Sequence, residues 1–452
     1  MKDTCAFLEK TVFNRFWIGM IFFVAAVAYC CAPLMGAVDR LTNVLLAWIA
    51  ACMVYDFIRT RQPFSRDHVL ALAFTAWFAL CALLGGITAV AAKTVVYVLI
   101  QTVFLVGIWR GQDRKARFEQ MTSLITVLGF AVNVASLCLY FLGVHRTYTN
   151  GVIDNTDMIL GLHRNGSLYG LLCNSNWTGF FALLVFGLAM YRVVTNRGRV
   201  FQIINALLAA AVLVNTNSRG SLMGLYVMTA AAVFLLAFPR DRVSARALLR
   251  TGGALCLAVL VVFSATFALR QVRTGTFWLV GQAVHQQADR PSARPGQFDR
   301  DSTEQQSSTQ ARLDLWRAGG RVVAQHPVTG VGYQNIQSAV WEQNDSDQVD
   351  FRLAVNTHNI FVQMAVATGV VGLLLFLACI AWPLLGALRT LLRPGAPDLQ
   401  LIAAVSLVLC FAAVNMVEAD IAVSRNFMST IFWVLVGFLQ FAAAGEKERA
   451  AS

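Results

Sequence analysis

The sequence predicts an all-α polytopic membrane protein with about twelve transmembrane helices and one large helical loop outside the membrane. Of its 452 residues, 57% are hydrophobic and 13% are charged, whereas a soluble domain carries about 25% charged residues. The apolar residues form repeated runs of about 18–25 residues, the length that crosses a hydrocarbon core of about 30 Å. Because these runs do not alternate with polar residues, they do not fit the strands of an outer-membrane barrel.

Each apolar run is predicted to form one helix. The first run follows several basic residues, as a signal peptide would, but it is longer than a signal-peptide core and more spans follow, so it is predicted to be a retained helix. The predicted spans are residues 16–38, 42–58, 68–91, 94–109, 120–143, 176–194, 201–216, 220–238, 251–269, 359–387, 399–417 and 426–444.

The basic residues predict the orientation of the chain. With the N-terminus inside, each cytoplasmic segment carries at least two arginines or lysines, such as Arg59, Arg61 and Arg66 between the second and third spans. The short segments on the other side carry mostly a single one, such as Arg40 or Lys93. Since cytoplasmic loops retain an excess of basic residues, both termini are predicted to be cytoplasmic.

The chain is predicted to divide into three parts. Residues 1–269 hold helices one to nine, residues 270–357 form the large periplasmic loop, and residues 358–452 hold the last three helices and a cytoplasmic tail. Within the loop, the spacing of apolar residues predicts a helix over 310–324 that ends at His326-Pro327.

Net charge and cysteine content point to the membrane rather than to nucleic acid or metal. The formal net charge is +12, and basic residues between apolar spans set topology and face anionic lipid headgroups. Of the ten cysteines, most lie inside apolar runs, and none forms a CxxC pair. They are predicted to be small buried apolar side chains.

Arg219 is the first candidate functional residue. It lies in a short outer turn with Asn217, Ser218 and Gly220, just before the eighth span. Guanidinium and the N–H groups at a helix N-terminus both bind phosphate, so this turn is a candidate anion site. An arginine at a span boundary can also simply extend to the lipid headgroups.

His358 is the second candidate. It precedes Asn359 and a long apolar helix at the outer boundary of the membrane. The dipole at a helix N-terminus disfavours imidazolium, and a neutral imidazole accepts a proton from a hydroxyl. The alternative is a histidine with a structural role alone.

Arg312 is the third candidate, because it lies four residues before Trp316 on one side of the outer helix. It is either a second cation for an anionic lipid headgroup or an exposed arginine that stacks on the tryptophan. Arg146 and Arg164 in another outer loop are further candidates for the same binding site.

The sequence is interpreted as having no metal or cofactor site. The outer carboxylates, which include Glu418 and Asp420, are interpreted as scattered residues, and no motif for ATP or NAD occurs. No metal and no cofactor are therefore predicted.

Taken together, these motifs resemble the O-antigen ligase/polymerase superfamily over about residues 200–375. The resemblance rests on their order and spacing: Asn217-Ser218-Arg219-Gly220, Arg312-Leu313-Asp314-Leu315-Trp316, His326-Pro327-Val328-Thr329-Gly330-Val331-Gly332, Thr357-His358-Asn359 and Gly369-Val370-Val371-Gly372.

The resemblance implies a metal-independent glycosyltransferase of the bacterial inner membrane, with its active site facing the periplasm. An O-antigen ligase transfers polysaccharide from undecaprenyl pyrophosphate to a lipid A–core sugar in lipopolysaccharide biosynthesis. The transfer is expected to invert the anomeric carbon. Arg219 and Arg312 would hold the pyrophosphate, and His358 would activate the acceptor. Asn217, Ser218, Trp316 and Asn359 would help to bind substrate.

Three other functions stay open. Two belong to the same superfamily, namely an O-antigen polymerase and a protein O-oligosaccharyltransferase. The third is a transporter of lipid or polysaccharide, which twelve spans would also suit. Transporters, however, usually place ionisable residues near the middle of the bilayer.

Overall fold

The computed structural model describes residues 11–60, 69–110, 113–148, 158–163, 166–240, 244–285, 302–347, 349, 351, 354 and 356–451. Within these residues the chain forms fourteen α-helices and one small antiparallel sheet. The helices are α1 Arg15–Tyr29, α2 Ala32–Thr60, α3 Val69–Leu84, α4 Ala89–Leu99 (continued by a π-helical segment, Ile100–Leu105), α5 Arg114–Phe141, α6 Ser175–Val194, α7 Arg199–Asn215, α8 Arg219–Ala237, α9 Ala245–His285, α10 Ser302–Gln325, α11 Ile336–Glu342, α12 Ile360–Leu391, α13 Leu399–Val414 and α14 Phe427–Ala451.

The predicted class, an all-α polytopic membrane protein, is confirmed. Ten of the twelve predicted spans each overlap mainly one helix, and the first two overlap α1 and α2, which divide at a different turn. The remaining two helices, α10 and α11, lie in the segment between the ninth and tenth spans. Six helices in the described part of the chain are long and apolar enough to cross a membrane, and the others that coincide with predicted spans are shorter apolar helices. The division of the chain at residues 269 and 357 stays a prediction, and α9 continues past the first of these positions to His285.

The turn between the first two helices lies earlier than predicted. The sequence places it near residue 40, at the first charged residues, but the chain turns at Cys30 and Cys31, and Pro33 occupies the first turn of α2. Asp39 can remain inside α2 because Arg425 forms an ion pair with it.

A three-stranded sheet between α5 and α6 was not predicted. Its antiparallel strands are β1 His145–Tyr148, β2 Met158–Leu162 and β3 Leu168–Gly170, in that order. Strands of three to five residues are too short to show a clear alternation in the sequence. The sheet leads into α6, where the Thr178 hydroxyl donates to the Tyr169 carbonyl at 2.6 Å.

Helices α6, α8 and α13 form the part of the core nearest the candidate site. Helix α6 packs on α7 and α8, and α13 packs on α8. Glycines permit these close contacts: a Cβ on Gly179 would lie 2.5 Å from the Ser221 hydroxyl, and one on Gly224 would lie 2.8 Å from side chains of α6 and α13. The tight packing fixes the start of α8 against the start of α6.

Helix α12 is interrupted at Gly369, and the interruption attaches the outer helix α10 to the membrane helices. Gly369 has φ +67°, and the Val370 N–H donates to the Pro327 carbonyl at 2.8 Å. In return, the N–H groups of Val331 and Gly332 donate to α12 carbonyls at 2.9 and 3.0 Å. A Cβ on Gly369 would lie 2.1 Å from the Val328 carbonyl oxygen. Gly330 and Gly369, one glycine of each motif, are therefore required by one backbone-to-backbone contact.

Candidate active site

Three helices begin beside a single cavity. Helix α6 begins at Ser175, α8 at Arg219 and α12 at Ile360, and α10 and the segment that follows α13 close the other sides. The cavity has a volume of about 330 Å³. Its lining residues are Ser167, Ser175, Asn176, Thr216, Asn217, Arg219, Gly220, Ala311, Arg312, Leu315, His358 and Glu418. The three predicted catalytic residues, Arg219, Arg312 and His358, thus share one cavity, although up to 139 positions separate them in the sequence.

His358 is held in an unusual backbone conformation just before α12. Its φ is +49°, a left-handed value that non-glycine residues rarely adopt. Its N–H donates to the Asn356 side chain at 2.7 Å. Asn359 caps α12 by accepting from the N–H groups of Phe361 and Val362. These bonds fix the imidazole at the edge of the cavity.

Glu418 contacts three other residues that line the cavity, and its role was not predicted. Its side chain is 8% exposed, and its carboxylate lies 3.2 Å from Nδ1 of His358 and 3.2 Å from Nη2 of Arg312. Asn176 donates a third hydrogen bond at 2.8 Å. A buried carboxylate with three donors is well stabilised as the anion. In the sequence, Glu418 is one of several scattered outer carboxylates, and no residue adjacent to it in the chain indicates a functional role.

The segment after α13 is anchored on the first residue of α12. The N–H of Ile360 lies 3.0 Å from the carbonyl oxygens of both Asn415 and Glu418. The Asn415 side chain accepts from the Asp420 N–H at 2.7 Å. Glu418 and His358 are therefore brought together by the backbone as well as by their side chains.

A second carboxylate, Asp420, lies behind Glu418. Asn426 donates to it at 2.7 Å, and the Trp177 side chain is also a donor. Burial and the neighbouring negative charge of Glu418 raise the pKa of Asp420 to about 7. Protonation of Asp420 near neutral pH consequently changes the charge beside the His358–Glu418 pair.

Arg219 connects the cavity to an apolar groove. Ser218 caps α8 by accepting from the Ser221 N–H at 3.3 Å, and its hydroxyl donates to the Asn176 side chain at 3.0 Å. Arg219 therefore begins α8 beside the cavity, and it also lines a groove of about 510 Å³ between α8 and α9. The other residues of this groove are Leu222, Met223, Tyr226, Val227, Phe263, Thr266, Phe267 and Arg270. A long apolar chain in the groove would reach the cavity at a cationic residue.

The remaining predicted binding residues differ in position. Asn217 lines the cavity. Ser218 and Asn359 cap helices, and Trp316 donates its indole N–H to the Thr357 carbonyl at 2.8 Å, next to His358. Their predicted contacts with substrate stay predictions, since the bonds seen are to the protein itself.

Of the two predicted binding arginines between α5 and α6, the structure describes only Arg146. Arg146 is exposed on β1, with its guanidinium 5.1 Å from the Tyr148 ring, and the cavity lining within the described residues does not include it. Arg164 lies outside the described residues.

Comparison with known proteins matches the chain to polysaccharide-related membrane proteins. The family model described as "O-Antigen ligase" matches residues 204–377. The matched segment contains Arg219, Arg312 and His358, but it ends before Glu418. A curated relative, the exopolysaccharide production protein ExoQ of Rhizobium meliloti (strain 1021), is 26% identical over 320 residues. That alignment covers 65% of this chain and 66% of the relative, slightly under two thirds of its length.

These matches agree with the motifs read from the sequence and with the cavity those motifs form. The superfamily groups membrane proteins that join or polymerise glycans, and the resemblance predicted from the sequence is confirmed. Residues 204–377 of this chain match the O-antigen ligase family, and the match supports the O-antigen ligase superfamily.

Proposed function

We propose that this chain is an O-antigen ligase that transfers a glycan from undecaprenyl pyrophosphate to a sugar hydroxyl of lipid A–core. The observation that carries the proposal is the cavity in which Arg219, Arg312 and His358 meet, with the apolar groove entering it at Arg219. This arrangement suits a donor with an apolar tail and a diphosphate headgroup. We place the site on the periplasmic face of the bacterial inner membrane, as the distribution of basic residues predicts.

The arginines would act on the donor. In the transfer, the bond between the anomeric carbon and the phosphate oxygen breaks, and the diphosphate leaves with the electron pair. Arg219 and Arg312 would neutralise the charge that develops there, since guanidinium binds phosphate oxygens through two parallel hydrogen bonds. Arg312 uses one side-chain N–H for Glu418, and a guanidinium carries five.

His358 and Glu418 would act on the acceptor. A carboxylate 3.2 Å from Nδ1 favours the tautomer that carries its proton on Nδ1, so Nε2 is left to accept the proton of the attacking hydroxyl. Glu418 would then stabilise the imidazolium, as the carboxylate of a catalytic triad does. Direct attack from the face opposite the diphosphate would invert the anomeric carbon.

The position of the cavity supports transfer over transport. Arg219 and His358 lie at the beginnings of apolar helices, Glu418 follows α13, and Arg312 lies in the outer helix α10. Transporters usually bind their cargo near the middle of the bilayer, often at broken helices.

Polymerisation is the second candidate function. The relative from Rhizobium meliloti is named for exopolysaccharide production. A polymerase would use the same donor chemistry with a second lipid-linked glycan as the acceptor. A protein O-oligosaccharyltransferase would use a serine or threonine hydroxyl instead. All three reactions need the same cations and base, so the acceptor distinguishes them.

The test is a transfer assay with purified protein in lipid vesicles, a labelled glycan on undecaprenyl pyrophosphate, and EDTA in the buffer. Core lipid, a second lipid-linked glycan and a serine-containing peptide are supplied in separate reactions. We expect label on core lipid, no effect of EDTA, and a large decrease in product with the His358→Ala protein. Elongated lipid-linked glycan would assign a polymerase, labelled peptide a protein transferase, and vesicle uptake of the donor without any transfer a transporter.

A further inference from the structure

Two cysteines from distant parts of the chain meet beside the cavity. Cys31 lies in the turn between α1 and α2, and Cys173 lies two residues before α6. The Ala32 N–H is 3.4 Å from the sulfur of Cys173, so the Cys31 residue next to it lies beside that sulfur, and the two thiols interact directly. The Cys173 thiol is otherwise directed to the Leu171 carbonyl at 3.5 Å. Both residues are buried, at 5% and 1% exposure.

The position of this pair relative to the membrane decides its chemistry. Cys173 precedes Ser175 and Asn176, which line the cavity, so the pair lies at the same end of the helices as the candidate site. If that end faces the periplasm, as the proposed function requires, both thiols are in an oxidising compartment, where disulfides form and persist.

We propose that Cys31 and Cys173 form a disulfide in the mature protein. The inference rests on the proposed function only for the side of the membrane on which the site lies. The bond would tie the turn between α1 and α2 to the segment that begins α6.

The reaction balances with a small or protein disulfide as the oxidant. The Cys31 thiolate attacks one sulfur of that disulfide, which releases one thiol and leaves a mixed disulfide. Cys173 then attacks the Cys31 sulfur and releases the second thiol. Because both residues are buried after folding, the exchange takes place before the segment next to α6 has packed.

The disulfide would support the site through Asn176. Asn174 caps α6, and Asn176 contacts both Glu418 and Ser218. Cys173 itself has φ +56°, so this segment is in a conformation that its surroundings must hold. A covalent link three residues before Asn176 restrains the segment.

The adjacent Cys30 provides a matched control. It is also buried, but its thiol is directed to the Ala26 carbonyl at 3.4 Å, within α1. Free thiols are blocked in living cells with an alkylating reagent, and the purified, unreduced protein is digested with trypsin. We expect the peptides of residues 16–40 and 165–192 to be cross-linked in the wild-type and Cys30→Ala proteins, and separate in the Cys31→Ala and Cys173→Ala proteins.

Wild-type protein that yields the two peptides separate, with both Cys31 and Cys173 reacting with an alkylating reagent after denaturation without reductant, would overturn the proposal. This measurement is made on the wild-type chain, so it does not depend on the folding of any variant. The transfer assay is read separately. Free thiols in an active ligase would reject the disulfide alone, whereas a cross-link in a protein without transfer activity would leave the disulfide standing and reject the enzymatic proposal.

Discussion

At the scale of single residues, Glu418 determines how the site is charged. It contacts one of the two arginines and the histidine, so the carboxylate offsets part of the positive charge and orients the imidazole. Arg219 lines the same cavity and also the apolar groove. The site therefore holds a base paired with a carboxylate and a cation that borders the groove, which suits transfer from a lipid diphosphate to a hydroxyl.

Glu418→Gln should lower the rate of transfer because the neutral amide holds the imidazole but does not stabilise imidazolium. The expected loss for His358→Ala is about 10²–10⁴-fold, the usual contribution of a general base, and the loss for Glu418→Gln should be smaller. In the His358→Ala background, Glu418→Gln should add little further loss, because the two residues act as one unit. Initial rates with saturating donor are the measurement.

Glu342→Gln is the matched control for this pair, because Glu342 is an exposed carboxylate on α11. Its rate should equal that of the wild type. Losses that simply multiply in the double variant would contradict the assignment of His358 and Glu418 to a single proton-transfer unit.

Arg312→Lys should weaken transfer even though the charge is retained. Lysine cannot form the two parallel hydrogen bonds by which guanidinium binds phosphate. A hydrogen bond to a charged group contributes about 1.5–3 kcal/mol, so we expect a decrease of roughly 10- to 150-fold in kcat/KM for the lipid-linked donor. Arg317→Lys, on the same helix and 63% exposed, is the control. Equal activity of the two variants would remove Arg312 from the donor site.

At the scale of elements, the site depends on how α10 is seated on α12. Helix α10 carries Arg312, and α12 begins next to His358. Two consecutive glycines in α10 differ in what surrounds them: a Cβ on Gly319 would lie 2.7 Å from the Val362 side chain, whereas one on Gly320 would meet no atom within 4 Å. Only Gly319 is needed for the two helices to approach closely.

Gly319→Ala should therefore destabilise the contact between α10 and α12, by about 1–3 kcal/mol if the neighbouring side chains cannot move aside. Transfer activity should fall as well, because Arg312 would move relative to His358. Gly320→Ala should leave activity unchanged and stability equal or slightly higher, since alanine favours a helix. Thermal unfolding of both proteins in detergent, with activity measured in parallel, tests this. Equal melting temperatures would show that α10 tolerates the added methyl group.

At the scale of the whole molecule, the described part of the chain is a set of apolar helices with a small polar site where three of them begin, and two carboxylates, Glu418 and Asp420, lie in or near it. The charge at Asp420 links pH to the stability of this assembly. Its pKa is raised to about 7 in the folded protein, against 3.8 for the free side chain. The folded state therefore holds this proton more tightly than the unfolded state does, and the contribution to stability that is present below pH 3.8 is lost as the pH rises through about 7.

The melting temperature of the wild-type protein should therefore include a decrease between pH 5 and pH 8 caused by ionisation of Asp420. The Asp420→Asn protein should lack this decrease. The asparagine oxygen can still accept from Asn426, and the variant has no carboxyl group to ionise. Melting curves of both proteins across this range measure the difference between them. Parallel pH dependences would mean that Asp420 does not titrate in this window.

Much of the site could be predicted from the sequence because its motifs are local. Arg219, Arg312 and His358 each stand beside a recognisable helix start or in an outer helix, and the structure brings all three to one cavity. Glu418 and Asn176 could not be predicted in the same way, because their function comes only from contacts with residues 60 or more positions distant. The early turn at Cys30-Cys31 was missed for a related reason, since a distant arginine allows Asp39 to remain inside a helix.

The sequence is enough to predict a bundle of membrane helices, because continuous apolar runs of sufficient length must satisfy their backbone hydrogen bonds within each helix. Short motifs that keep their order also predict the superfamily. The carboxylate that pairs with His358, the neighbouring cysteines and the entry of the apolar groove are seen only in the tertiary structure. These depend on packing between helices far apart in the chain, which no local pattern of residues records.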